Sequence, residues 1–105
     1  MSTYNRVKIG NDLLVQITMS KEGHTLEKVN WVCDFYTNGS HIVSIPKTKS
    51  HKIDENSYYC PLSTKDFEEG ILYGSLKADL PNAYFDDGFK TEVVEFEVEQ
   101  TYLYK

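Results

Sequence analysis

Val29-Asn30-Trp31-Val32-Cys33-Asp34-Phe35-Tyr36, followed at once by Thr37-Asn38-Gly39, is the stretch on which the fold turns. Val29, Trp31, Cys33 and Phe35 share one parity, against Lys28, Asn30, Asp34 and Tyr36 on the other. Successive side chains of a strand point to opposite faces, so this pattern predicts a strand with one face in a core. Asn38-Gly39 predicts a hairpin, because a two-residue type I′ turn needs positive φ at both centres and these residues accept it at least cost. His41 to Ile45 then returns as the partner strand and stops at Pro46.

The same alternation recurs on both sides of this hairpin. Leu13, Val15, Ile17 and Met19 oppose Asp12, Gln16, Thr18 and Ser20. Ser57 to Leu62 is a short strand, and Leu72, Leu76, Ala78 and Leu80 lie on another that ends at Pro81. Val94, Phe96 and Val98 point one way while Glu95, Glu97 and Glu99 point the other, after a turn at Asp87-Gly88. Lys47 to Ser57 reads as a solvated polar connection. Ser63-Thr64-Lys65-Asp66 resembles a helix N-cap with its acid three residues on, good for a single turn before Gly70. No repeat or linker divides the chain, so residues 1–105 read as one domain. Short strands at regular spacing without a helix of useful length predict an all-β fold, an antiparallel β-sandwich of about seven strands. A small closed barrel uses the same pattern and is the alternative. The expected interior is Leu13, Val15, Ile17, Val29, Trp31, Cys33, Phe35, Leu72, Leu76, Leu80, Val94, Phe96 and Val98.

Composition narrows the function classes. A chain of 105 residues that is 40% hydrophobic buries roughly 65% of its unfolded surface, which leaves little scaffold for a deep cleft. The net charge of −5 disfavours nucleic acid. The longest aliphatic run is Leu13-Leu14-Val15, so no membrane insertion is expected. Met1 to Arg6 lacks the apolar stretch of a secretory signal. Without export, Cys33 and Cys60 read as reduced, buried thiols, with a disulfide across two sheets as the alternative.

Few residues suggest chemistry. His24 sits in an expected turn, His41 borders the hairpin and His51 lies in the polar connection, none placed to activate a cysteine or serine. Asp86-Asp87-Gly88 lacks the alternate ligands and distal glutamate of a calcium loop, and reads as a turn. Glu95, Glu97 and Glu99 read as a strand face kept soluble by charge. Asn38-Gly39-Ser40 fits the glycosylation pattern but serves as a turn if the chain is not exported. No catalytic, cofactor-binding or metal residue is therefore assigned, and no cofactor is expected. Eight tyrosines suit a binding surface, because a rigid amphipathic ring gives contact area at small entropic cost. Tyr58 and Tyr59 are adjacent and must face opposite sides of a strand, and Tyr84-Phe85 divide likewise. Tyr102, Leu103 and Tyr104 belong to a C-terminal segment, Thr101 to Lys105, that is more apolar than a free end usually is. Tyr58, Tyr84, Tyr102, Leu103 and Tyr104 are the expected partner-binding residues. Tyr102 and Tyr104 continue the parity of Val94, Phe96 and Val98, so the segment either pairs within its own sheet or adds to a neighbour's. In the second case removing 101–105 leaves the melting temperature within a few degrees.

Val7-Lys8-Ile9-Gly10-Asn11-Asp12-Leu13, and Pro81-Asn82-Ala83-Tyr84-Phe85-Asp86-Asp87-Gly88-Phe89-Lys90-Thr91-Glu92-Val93-Val94, resemble Ig-like β-sandwich modules of bacteriophage structural proteins. The likeness is to the N-terminal domains of baseplate and tail-fibre proteins, as in phages and prophages of gut Bacteroides. A Gly-Asn-Asp-Leu entry leads there into the first long strand, and a Phe-x-Asp-Gly turn into the last. The resemblance implies a non-enzymatic structural or assembly protein, made in the bacterial cytoplasm, located in the virion, and attached to other virion proteins or to copies of itself. Because the module stands alone, a small virion-attached or decoration protein, or an excised domain, is the expected form. The alternatives are a carbohydrate-binding module that attaches to a host-surface glycan, and a small phage-encoded inhibitor of a host protein.

If Trp31 is central to the core, Trp31→Ala should cost about 3–5 kcal/mol in a denaturant melt; a change below ~1 kcal/mol would place the indole on the surface.

Overall fold

The structure, a computed structural model, describes residues 4–19, 23–38 and 41–105. Its strands are β1 (Asn5–Lys8), β2 (Asp12–Thr18), β3 (Asn30–Tyr36), β4 (Val43–Pro46), β5 (His51–Asp54), β6 (Ser57–Ser63), β7 (Gly70–Pro81) and β8 (Phe89–Tyr104). A five-stranded sheet has the order β1-β8-β7-β3-β4 and a three-stranded sheet the order β2-β6-β5. The two form an all-β sandwich, in which every ladder is antiparallel except one. β1 runs parallel to β8, from Asn5 opposite Thr101 to Lys8 opposite Tyr104, so the larger sheet is mixed where an antiparallel one is expected. Gly39 and Ser40 of the expected hairpin turn lie outside the described residues. The ladder it would close runs from Val32 opposite Pro46 to Phe35 opposite Val43.

Inward parity makes the core. Trp31, Cys33 and Phe35 of β3 and Leu72, Leu76, Ala78 and Leu80 of β7 face Val15 and Ile17 of β2 and Tyr58, Cys60 and Leu62 of β6. The Trp31 ring meets Tyr58 edge-on at 5.3 Å between centroids, and its Nε1 donates to the Leu26 carbonyl at 3.1 Å. One side chain thus joins both sheets and the loop over them without leaving a buried donor unpaired. Leu13 and Phe96 are half-buried at the core's margin.

Three local readings change. The polar stretch after Pro46 contains a 3-10 turn, Lys47–Lys49, and then β5, an edge strand exposed along its length. Its order comes from the β6 ladder and from a Lys52–Glu27 ion pair at 2.9 Å. Thr64 caps no helix. Its buried hydroxyl donates to the Asn11 carbonyl at 2.7 Å and accepts from the Gly10 amide at 2.9 Å. These bonds hold the corner where the chain leaves β1 for the other sheet, and Gly10, at φ +110°, supplies the backbone conformation the corner needs.

The third change concerns β8. Tyr73 faces Glu97 but Ile71 faces Tyr102, so five steps along β8 answer two along β7. Three extra residues, with Glu99 and Gln100 at φ 41° and 52°, form a bulge that reverses parity. Before it Val98 faces inward, and after it Thr101 and Leu103 do. Tyr102 and Tyr104 therefore do not continue the parity of Val94, Phe96 and Val98, and Leu103 is a fully buried core residue. The 101–104 stretch has β7 on one side and β1 on the other, which leaves it no edge for strand addition. Val94, expected inside, is 58% exposed.

Deleting residues 101–105 is accordingly expected to unfold the protein or lower its melting temperature by far more than a few degrees. Leu103→Ala should cost about 2–5 kcal/mol in urea denaturation.

Candidate functional site: the open flank between β2 and β8

Three strands cannot cover five. β2 is an edge of the smaller sheet, and beside it the larger sheet is left open along β8. The inward residues of β7 stay buried as far as Leu80, while on β8 Phe96 is half-buried and Val94 exposed. A groove of about 350 Å³ results, with Ile17 of β2 and Met19 just past its end on one wall, Leu76 and Leu80 on β7, and Val94 and Phe96 on β8. The Phe96 ring lies across Gly74, its partner on β7, so closely that a Cβ at position 74 would overlap it. Glycine there lets the ring lie flat as part of the groove floor. Glu92 stands at the groove and pairs with Lys90 at 3.2 Å.

The hairpin tip is held by its own short side chains. Asn82 Oδ1 accepts from the Tyr84 amide at 2.9 Å, and Asp87 Oδ1 accepts from the Phe89 amide at 3.0 Å. The Asn82 amide donates to the Gly88 carbonyl at 2.8 Å, with Gly88 at φ +81°. Asp87 and Gly88 thus act as turn residues. Of the nine exposed large hydrophobics among the described residues, five lie on this hairpin: Tyr84, Phe85, Phe89, Val93 and Val94.

The expected partner-binding residues are not brought together. Tyr84 is 97% exposed at the tip. Tyr58 is buried against Trp31, and its exposed neighbour is Tyr59, so the outward ring of that pair is the other one. Tyr102 and Tyr104 are half-buried, with the Arg6 guanidinium 5.4 and 5.2 Å from their ring centres. That cation pins β1 to β8 on the outer face, while Leu103 faces the core. The groove was signalled by Val93-Val94: two consecutive apolar residues in an alternating strand must expose one of them unless both faces are covered.

Cys33 and Cys60 are free thiols, both fully buried on facing sheets. Burial, with the neighbouring Cys60 and Asp34 adding to it, pushes the Cys33 thiol up to about 12. Burial alone pushes Cys60 to about 11. Such thiols are poor nucleophiles at neutral pH. Among the described residues no group of three His, Cys, Asp or Glu side chains converges to hold a metal ion, and no helix is long and apolar enough to cross a membrane. Comparison with protein-family models, with curated proteins and with solved structures finds no match in any of the three.

Native protein should label slowly with a thiol reagent at neutral pH and rapidly once unfolded; fast native labelling would contradict the burial. The folded Cys33 value lies above its ordinary value of 9.0. Its stabilising effect is therefore complete below about 9 and is lost as pH rises toward about 12, a decline that Cys33→Ala should lessen in pH-dependent melts.

Proposed function

We propose that the protein is a non-enzymatic structural or assembly module that attaches to other protein subunits through the open flank of its sandwich. The setting is the one its end segments resemble, a bacteriophage particle. The apolar groove beside exposed Val94, lined by Ile17, Met19, Leu76, Leu80 and Phe96, carries the reading. Apolar surface gathered at one place on a small domain is characteristic of an interaction site, whereas scattered exposed hydrophobics need no explanation. Both cysteine thiols are buried, with burial raising their pKa values, which makes them poor nucleophiles at neutral pH.

Mass spectrometry of gradient-purified particles tests this. The protein is expected in them at a fixed ratio to the major structural proteins, and Val94→Lys is expected to abolish incorporation while leaving the melting temperature within a few degrees. A protein absent from particles but retained on a glycan array would replace this reading with host attachment. Absence from both would remove it.

A further inference from the structure

We propose that the occupant of the open flank is one extended strand of another protein, alternating apolar residues with Lys or Arg, which adds to the free edge of β8 along residues 89–96. The inference deepens the docking reading and rests on it.

Three observations lead there. First, among the described residues β8 pairs on its outer side only with β1, and only from Thr101 to Tyr104. Among the described residues nothing pairs with that side of residues 89–96, and at about 3.4 Å per residue the stretch is long enough for an ordinary strand. Tyr4, which leads into β1, donates its hydroxyl to Glu97 Oε2 at 3.4 Å, so the lane β1 occupies past the bulge points along the vacant stretch.

Second, a strand in that lane meets two different surfaces. On the inner side it would lie over the groove, beside Val94 and Phe96 and across from Ile17 and Met19, and its inward residues there must be apolar, while nearer the hairpin tip they meet the Lys90–Glu92 pair. On the outer side it would run beside Val93, Glu95 and Glu97, all exposed, and its outward residues gain from positive charge.

Third, charge sets the kind of partner. Residues 89–99 hold one lysine, Lys90, against four glutamates, Glu92, Glu95, Glu97 and Glu99, and the whole chain carries −5. Edge glutamates keep one copy from pairing with another, while a strand bearing Lys or Arg would be drawn to the same edge. The occupant is therefore a different, basic chain and not a second copy.

The test is an amide NMR titration of the intact protein with two synthetic peptides of about nine residues, one alternating valine with lysine and one alternating valine with glutamate. The basic peptide is expected to shift the amides of Phe89 to Phe96. The acidic one should bind roughly tenfold more weakly, as the loss of the charge pairs with Glu95 and Glu97 would give. Glu95→Lys, on an exposed outer face, should reverse that preference without changing the fold. Absence of shifts at millimolar peptide, shifts confined to Asp12 to Thr18 on β2, equal binding of both peptides, or self-association of the protein through β8 would each overturn the inference. Val94-dependent incorporation into particles without peptide binding at β8 would overturn the strand and leave the docking reading standing. Peptide binding at β8 by a protein absent from particles would do the reverse.

Discussion

Three extra residues in β8 determine how the rest of the molecule is arranged. An uninterrupted ladder would carry the parity of Val98 to the chain end and turn Tyr102 and Tyr104 into the core. With the bulge, Thr101 and Leu103 go in, and the two tyrosines lie outward beneath Arg6. Left-handed backbone at Glu99 and Gln100 costs about 1–2 kcal/mol at each. Burial of Leu103, worth about 1.5–3 kcal/mol, and the β1 ladder offset that cost. The bulge also divides the strand by role. Beyond it β8 has a neighbour on each side; before it β8 has an open edge and a half-covered face.

The division places rigidity and exposure in separate parts of one hairpin. Around Trp31, Tyr58, Cys33 and Cys60 the sheets are in full contact, and the corner at Gly10 is tied by Thr64. Toward Val94 the same sheet runs on without cover, its conformation kept by β7 pairing and by the tight turn at Asn82 to Gly88. A surface built this way is preformed, so little ordering entropy would oppose the docking proposed for it.

Strands with one wet face and one dry face were legible in the sequence, because burial writes period two into them: β2, β3 and β7 are of this kind, whereas β8 alternates in sequence before the bulge but is exposed or half-exposed on both faces from Phe89 to Phe96. β1 and β5 were not. β5 is exposed along its length, and β1 is ordered by residues near the far end of the chain, so neither carries a local signal. The bulge was hidden because Glu99 and Gln100 adopt left-handed backbone without the glycine that usually announces it. For the tyrosine pair the answer was present: Tyr58 shares parity with Cys60 and Leu62, and that decides which ring turns inward. The open flank itself depends on the mismatch between a five-stranded and a three-stranded sheet, a property of strand partnership that periodicity does not contain.

The parallel ladder between β1 and β8 has a consequence for how the chain is made. β1 has its sheet neighbour in β8, and Asn5 reaches Glu99, to whose carbonyl its side-chain amide donates, across 94 residues. At ordinary translation rates that interval is about 5–20 s. Throughout it the larger sheet lacks its final strands, and Val7 and Ile9 have no β8 to pack beside. Closing so distant a pair late makes for slow folding, and during those seconds the nascent chain presents apolar strand edges that a holding chaperone would be well placed to shield.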